Sequence, residues 1–316
     1  MGTFLSRTSL RTRLALLMLG ALLAFAVAGT YAIRSSLDSL ERTHGARMVD
    51  LADVMLNQMG TIVTARMDTL ARLGERPAVR DVLTASNTRW ADSDAAARRT
   101  HRERLDAAWR DADWQPTATA REVLDNQASR FLVREFQEVS QRLSGRTVFS
   151  RILVTDGPGF TVAADAPTED YFQADEDWWE RARRDGRHVV GVVFDRAANL
   201  HGLQVALRLN DADGNMIGVA KALLSARWIT REAAAATQLR RTGEIKLTTA
   251  DGRLIFSSRP FNFLDDVSDS AFFTGLDGRR DARTVEMGGR DWLYARASNP
   301  NAPAIGDLGW HLFVAA

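Results

Sequence analysis

The sequence has no cysteine. Disulfides, thiol catalysis and thiolate metal sites are therefore excluded together. The five histidines, at positions 44, 101, 188, 201 and 311, show no paired metal-ligand spacing, which argues against a zinc site. Also missing are a GxSxG elbow, a phosphate-binding loop and a Rossmann glycine fingerprint. Acidic pairs are common, but none stands apart from ordinary surface charge. No catalytic residue, metal or cofactor is assigned on this basis. The formal net charge of +1 implies no nucleic-acid partner. Its basic tip, Arg7, Arg11 and Arg13 without an acid, precedes a near-neutral body, whereas nucleic-acid binding needs a basic patch on a folded domain.

Charge is absent once more, from Leu14 to Ile33, bounded by Arg13 and Arg34. Twenty such residues in a helix span roughly the 30 Å hydrocarbon core of a bilayer. The preceding arginines put the N-terminus in the cytoplasm and everything after Ile33 outside the inner membrane. A cleaved signal peptide competes with this anchor, because Ala26-Val27-Ala28 is a passable cleavage site. The anchor is preferred: the apolar run continues past that site through Tyr31 and Ile33, and a helical pattern follows unbroken. Both readings export the rest of the chain.

That pattern is a stripe at three- and four-residue steps: Leu37, Leu40, Met48, Leu51, Met55, Ile62, Leu70 and Leu73, closed by Gly74 and Pro77. Its narrow seam suits a folded domain on one side and, equally, a second copy of the helix on the other. Residues 79–143 read as helical, with Trp90, Trp109 and Trp114 among charged faces. The stretch 119–143 reads as one helix, with Val123, Phe131, Leu132, Phe136, Val139 and Leu143 on one side and Gly145 as its stop.

From Phe149 the period changes to that of strands. Phe149–Thr155 and Phe160–Ala164 flank the turn Asp156-Gly157-Pro158-Gly159, and Tyr171–Arg184 reads as an aromatic helix. Strands Val189–Phe194, Leu203–Leu209 and Met216–Leu224 follow, the last two joined by Asp211–Asn215. That turn is no calcium loop, since its glycine and a closing glutamate are misplaced. An alanine-rich helical connector, Ala226–Arg241, leads to a smaller module. Its strands are Glu244–Thr249, Arg253–Ser257, Thr284–Met287, Trp292–Ala297 and Trp310–Val314, with a helix near Ser268–Phe273. The fold class is α+β: two antiparallel-sheet modules on one long helix.

Three segments carry a family resemblance: Ile152–Gly157, Thr168–Trp179 and Gly214–Ala222. Together they resemble a double Cache (PAS-like) extracytoplasmic sensor domain, over about residues 35–316. The resemblance implies a receptor region binding a small molecule in a membrane-distal module. It divides the chain into a cytoplasmic tip (1–13), a transmembrane helix (14–33), a long helix and helical region (34–145), a distal module (146–226) and a proximal module (227–316). It also implies a longer parent with an output module beyond Ala316, and the seam of the long helix is compatible with a homodimer. A sensor histidine kinase is the expected parent, with a diguanylate cyclase, a chemotaxis transducer or an exported non-receptor protein as alternatives. The segment itself is not expected to be an enzyme.

Tyr171, Asp175, Trp178 and Trp179 would lie on one helical segment, at least three of them on a shared face bordering the ligand pocket, the alternative being that the tryptophans only close the core. Lys221, one of two lysines, shares strand parity with Val219 and Leu223. A lysine among hydrophobes is expensive to bury unpaired. It therefore snorkels out, pairs with an acid such as Asp195, or meets an anionic ligand. Amino-acid binders of the family carry an aspartate late in this strand. Leu223 stands there, so a carboxylate or other anion is favoured, with Arg208 as a second candidate cation that its parity with Gln204 also allows to face water.

Overall fold

The computed structural model describes residues 10–109, 117–139, 148–196, 199–237, 243–276, 278–298 and 308–316. The basic tip through Ser9, Trp114, the 140–147 end of the long helical stretch with Leu143 and Gly145, and the connector's end after Thr237 lie outside them. So do the side chains of Arg11, Arg13, Leu37 and Val139.

Helix α1 runs without interruption from Leu10 to Ala71. Between Leu14 and Ile33 its described apolar side chains, including Leu17, Leu22, Phe25 and Tyr31, are exposed to the surroundings. This segment is long and apolar enough to cross a membrane, with mean hydropathy 1.7 over its best window. The buried stripe begins later than the spacing predicts, because Leu40 is exposed. It is carried by Val49, Ala52, Met55, Leu56, Met59, Val63, Met67 and Leu70. A short 3₁₀ turn, Arg72–Glu75, then leads to Pro77, the first residue of α2 (Pro77–Ala91), preceded by an extended Arg76. A proline there lacks only an N–H that the helix start would leave unbonded. Gly74 makes a close approach: a Cβ there would sit 3.2 Å from the Asn210 carbonyl oxygen and from Ile217, a tight fit.

Helices α3 (Ala95–Trp109), α4 (Ala118–Leu124) and α5 (Gln127–Leu132) follow, then a π-helical turn, Val133–Val139. The single helix expected over 119–143 is thus broken. Asn126 caps α5, its Oδ1 accepting from the Ala128 and Ser129 amides at 2.9 and 3.0 Å, and its Nδ2 donates to the Val162 carbonyl. That cap outweighs the apolar period.

The first sheet contains β1 (Phe149–Asp156), β2 (Thr161–Ala164), β3 (Arg187–Asp195), β4 (Leu200–Asn210) and β5 (Met216–Ser225), ordered β2-β1-β5-β4-β3. Helix α6 (Asp177–Asp185) lies between β2 and β3 in sequence. It is shorter than the expected Tyr171–Arg184 helix. Tyr171–Gln173 instead hydrogen-bonds beside the β1–β2 hairpin: the Thr161 amide donates to the Tyr171 carbonyl and the Gln173 amide to the Gly159 carbonyl, both at 2.9 Å. Helix α7 (Ala226–Thr237) leads to the second sheet, with β6 (Glu244–Thr248), β7 (Leu254–Ser257), β8 (Arg280–Met287), β9 (Arg290–Ala297) and β10 (His311–Ala315), ordered β7-β6-β10-β9-β8; helix α8 (Ala271–Thr274) packs on it.

One face of each sheet joins a continuous core with the α1 stripe. Next to the apolar segment, α1 meets the second sheet: Glu41 accepts from the Thr284 amide at 3.1 Å, Arg280 pairs with Asp50 and Asp53, and Gly45 abuts Ala282. The first sheet packs at the helix's far end, where Leu70 and Leu73 are buried and Gly74 touches the β4–β5 hairpin.

Candidate functional site

The face of the first sheet turned away from α1 carries alternate residues of each strand, as the pleat requires. Leu153, Ala206 and Val219 on this face pack under Trp178 and Trp179 of α6. Beside them a cavity of about 410 Å³ remains open. Arg151, Leu153, Gln204, Lys221 and Leu223 form its floor, and Val193–Arg196 one wall. The strap leading into α6, with Glu169, Asp170, Gln173 and Glu176, closes it together with Trp178.

Lys221 is the chemical centre of this cavity. Its Nζ lies 4.5 Å from the centroid of the Trp178 ring. No carboxylate among the described residues comes within ion-pair distance of it. Burial pushes its ammonium below the ordinary lysine range, and the negative charges of Glu176, Asp170, Asp195 and Glu169 push back. A cation held over an indole face still lacks the hydrogen-bond acceptors it has in water. The site can therefore accept an oxyanion on Lys221, and its rim can face a cationic group.

Asp165 also borders the cavity but is used by the fold. Its carboxylate accepts from the Ile152 amide at 3.0 Å and from Gln137 Nε2 at 2.6 Å, and burial raises its pKa. The turn Asp156–Gly159 is fixed in a similar way. Asp156 accepts from Ser86 Oγ at 2.6 Å and from the Gly159 and Phe160 amides at 2.9 and 2.8 Å. Burial nevertheless raises its pKa to about 6. Gly159, at φ +101°, brings the turn so close to the strap that a Cβ would collide with Ala174.

Of the residues singled out from the sequence, Trp178, Asp195 and Lys221 line this cavity. The other four lie elsewhere. Trp179 is buried beside it, donating from Nε1 to Thr155 Oγ1 at 2.8 Å. Tyr171 sits in an aromatic cluster with Trp90, Trp109 and Phe160, where burial first and the Asp156 charge second raise its phenol pKa. Asp175 pairs with Arg102. Arg208 donates to the Arg183 carbonyl at 3.2 Å, near the end of α6. The shared helix face expected for Tyr171, Asp175, Trp178 and Trp179 does not form, because α6 begins only at Asp177. Arg151, Gln204 and the strap acids were not singled out. Strand parity with Leu153 and Ala206 is the signal for the first two; Glu169 and Asp170 sit on irregular chain with no periodic signal.

No family model matches the sequence, and no curated protein matches it. Solved structures do resemble the fold. The ligand-binding domain of the Pseudomonas fluorescens chemoreceptor CtaA, solved with L-serine, is 12% identical, with a TM-score of 0.50 covering 90% of this chain and 98% of that one. That of the Campylobacter jejuni chemoreceptor Tlp3, solved with L-norvaline, is 12% identical with a TM-score of 0.49, covering 88% and 92%. The extracellular domain of the histidine-kinase candidate rpHK1S-Z16 is 14% identical with a TM-score of 0.48, covering 87% and 94%. At such identities the likeness to the CtaA domain is one of fold. That fold, a long helix carrying two antiparallel sheets, agrees with the one that the sequence resemblance implies.

Proposed function

We propose that this chain is the extracytoplasmic ligand-sensing region of a transmembrane receptor, held in the inner membrane by residues 14–33. In this reading 146–226 is the membrane-distal module and 227–316 the proximal one. The order of packing along α1 supports it, since the second sheet lies next to the apolar segment and the first sheet farther away. The segment binds and does not catalyse. A sensor histidine kinase is the parent we favour, acting as a homodimer paired through α1.

The observation that carries the binding role is the half-buried ammonium of Lys221 opening on the 410 Å³ cavity. A small molecule presenting a carboxylate or another anionic group would supply its missing partner, with Trp178 covering the pair. Ligand entry would tighten the strap 165–176 on the sheet, and the sheet would bear on α1. A second reading, a ligand with both charges such as an amino acid, is favoured by the acidic rim of Glu169, Asp170, Glu176 and Asp195. Thermal unfolding of the chain with small monocarboxylates, amino acids and amines separates these. Stabilisation by monocarboxylates supports the first reading and stabilisation by amino acids alone the second. Silence of all three classes would contradict a ligand role.

A further inference from the structure

A second concavity lies on the other side of the strap. Helix α3 crosses above the β1–β2 turn and leaves a groove of about 500 Å³, lined by Arg98, Arg99 and Arg102, by Gly157 and Pro158, and by Phe160 and Phe172 with Ala95 at one end. Among the described residues, three guanidinium groups line it and no carboxylate does. This inverts the charge of the Lys221 cavity, whose rim is rich in acids. The two share a partition: Phe172 borders the groove, while its neighbour Gln173 borders the cavity.

The groove is built rather than incidental. Its floor is fixed by the Phe160–Phe172 bridge and by Asp106, which accepts from the Tyr171 and Phe172 amides at 3.2 Å. Its turn wall is held by Asp156, and by Asn87, which accepts from the Gly157 amide at 2.9 Å and donates to the Ile217 carbonyl at 2.8 Å. Arg102 is already engaged: it pairs with Asp106 and Asp175 and lies 4.4 Å above the Phe172 ring. It thus serves as a neutralised, flat part of the wall. Arg98 donates one bond, to the Ser93 carbonyl at 2.5 Å, and keeps most of its donors for another acceptor. Arg99 stands exposed on the rim. Two guanidinium groups beside the half-buried Phe172 ring and Pro158, with Phe160 buried behind them, suit an anion carried on a small flat apolar body. The fork geometry of arginine matches an oxyanion, the Phe172 ring and Pro158 match the body, and a fixed floor spares the ordering cost of binding.

We propose that this groove is a second ligand site, distinct from the Lys221 cavity. It takes a small organic anion with a flat apolar body, the anionic group on Arg98 and Arg99 and the body on Phe172 and Pro158, the Phe160 ring being buried beneath them. The ligand would back the same strap that closes the cavity. The inference stands on the groove alone and does not depend on the cavity being a sensor site.

The test uses the full chain in lipid nanodiscs and 4-fluorobenzoate as a fluorine-NMR probe. A Lys221→Met background removes the cavity's cation, so that binding there cannot imitate binding in the groove. Saturable binding is expected in that background, weakened about ten-fold or more by Arg98→Ala/Arg99→Ala, the loss of charge-assisted hydrogen bonds. Arg98→Gln/Arg99→Gln, which keeps the length of the helix surface, should give the same loss if the alanine pair unfolds. Inorganic phosphate should displace the probe only at much higher concentration, because it leaves Phe172 and Pro158 uncovered. No saturable binding, unchanged affinity in both arginine variants, or phosphate competing as well as fluorobenzoate would each overturn the proposal.

Discussion

The two sheets have the same strand order and a bulge at the same place, yet they use their outer faces in opposite ways. Registers align them row by row. Arg151, Leu223 and Gln204 form one row of the first sheet, where the second has Glu244, Ala315 and Tyr294. The next row, Leu153, Lys221 and Ala206, corresponds to Lys246, Phe313 and Arg296. In the first sheet the space above these rows is the cavity. In the second, Tyr294 and Phe313 fill it, packed against Phe272 of α8 with ring centroids 5.4 and 5.1 Å away. The lysines differ as well. Lys246 is paired with Glu244 at 2.6 Å and has Tyr294 Oη 3.3 Å away, whereas among the described residues Lys221 has only the Trp178 ring. One scaffold thus gives a self-satisfied core and an unsatisfied cavity, according to which side chains stand at a few matched positions.

The largest test of this contrast is to empty the filled face. Phe313→Ala should cost about 3–5 kcal/mol in chemical denaturation, the usual cost of deleting a buried phenylalanine. Lys221→Ala at the matched position should cost less than about 1 kcal/mol, since that side chain already borders a void. Comparable losses would show that the first face is packed as tightly as the second.

Next come the lysines themselves. Lys246→Met leaves Glu244 buried without its near partner, at a cost of about 3 kcal/mol or more. Lys221→Met removes a half-buried cation without a carboxylate partner among the described residues and should leave the unliganded protein as stable or more so. Melting temperatures of the two variants, measured without ligand, decide this. A marked destabilisation by Lys221→Met would mean that its ammonium is already satisfied.

The matched turns differ in titration. Asp156 in the first corresponds to Thr249 in the second, whose hydroxyl accepts from the Arg253 amide at 2.8 Å. An acid whose folded pKa is raised binds its proton more tightly in the folded state. Its stabilising contribution is full below the unfolded value of 3.8 and is lost as pH rises through about 6. The difference corresponds to about 3 kcal/mol. Asp156→Asn keeps an acceptor for the Gly159 and Phe160 amides and should flatten the pH dependence of unfolding between about pH 4 and 6. An unchanged slope would place that titration elsewhere, Asp165 being the next candidate. The smallest effect is expected at the surface join of the second sheet to α1. Arg280→Ala breaks exposed pairs with Asp50 and Asp53, and should shift stability by no more than about 1 kcal/mol.

The sequence made the fold largely legible because its signals were periodic. The charge-free stretch, the helical stripe and the alternating strands all depend on local spacing, and the strands appear within a few residues of the expected bounds. It was less legible where a polar side chain competed with the period, as at Asn126, or where backbone paired with a distant strand, as at Tyr171–Gln173. Lys221 was readable because charge among hydrophobes is conspicuous. Gln204 and Arg151 were not, since they look like ordinary solvent-facing residues until strand order puts them on one floor. The strap acids come near Lys221 only through the three-dimensional path of residues 165–176.

The central claim, that the first module receives the ligand and the second does not, is tested most directly by amide hydrogen exchange. The chain would be compared with and without a saturating carboxylate chosen from the thermal screen. The account predicts new protection in 165–178 and 216–225, little change in 271–297, and loss of the effect in Lys221→Met. Protection confined to 271–297, or kept in full by Lys221→Met, would contradict it.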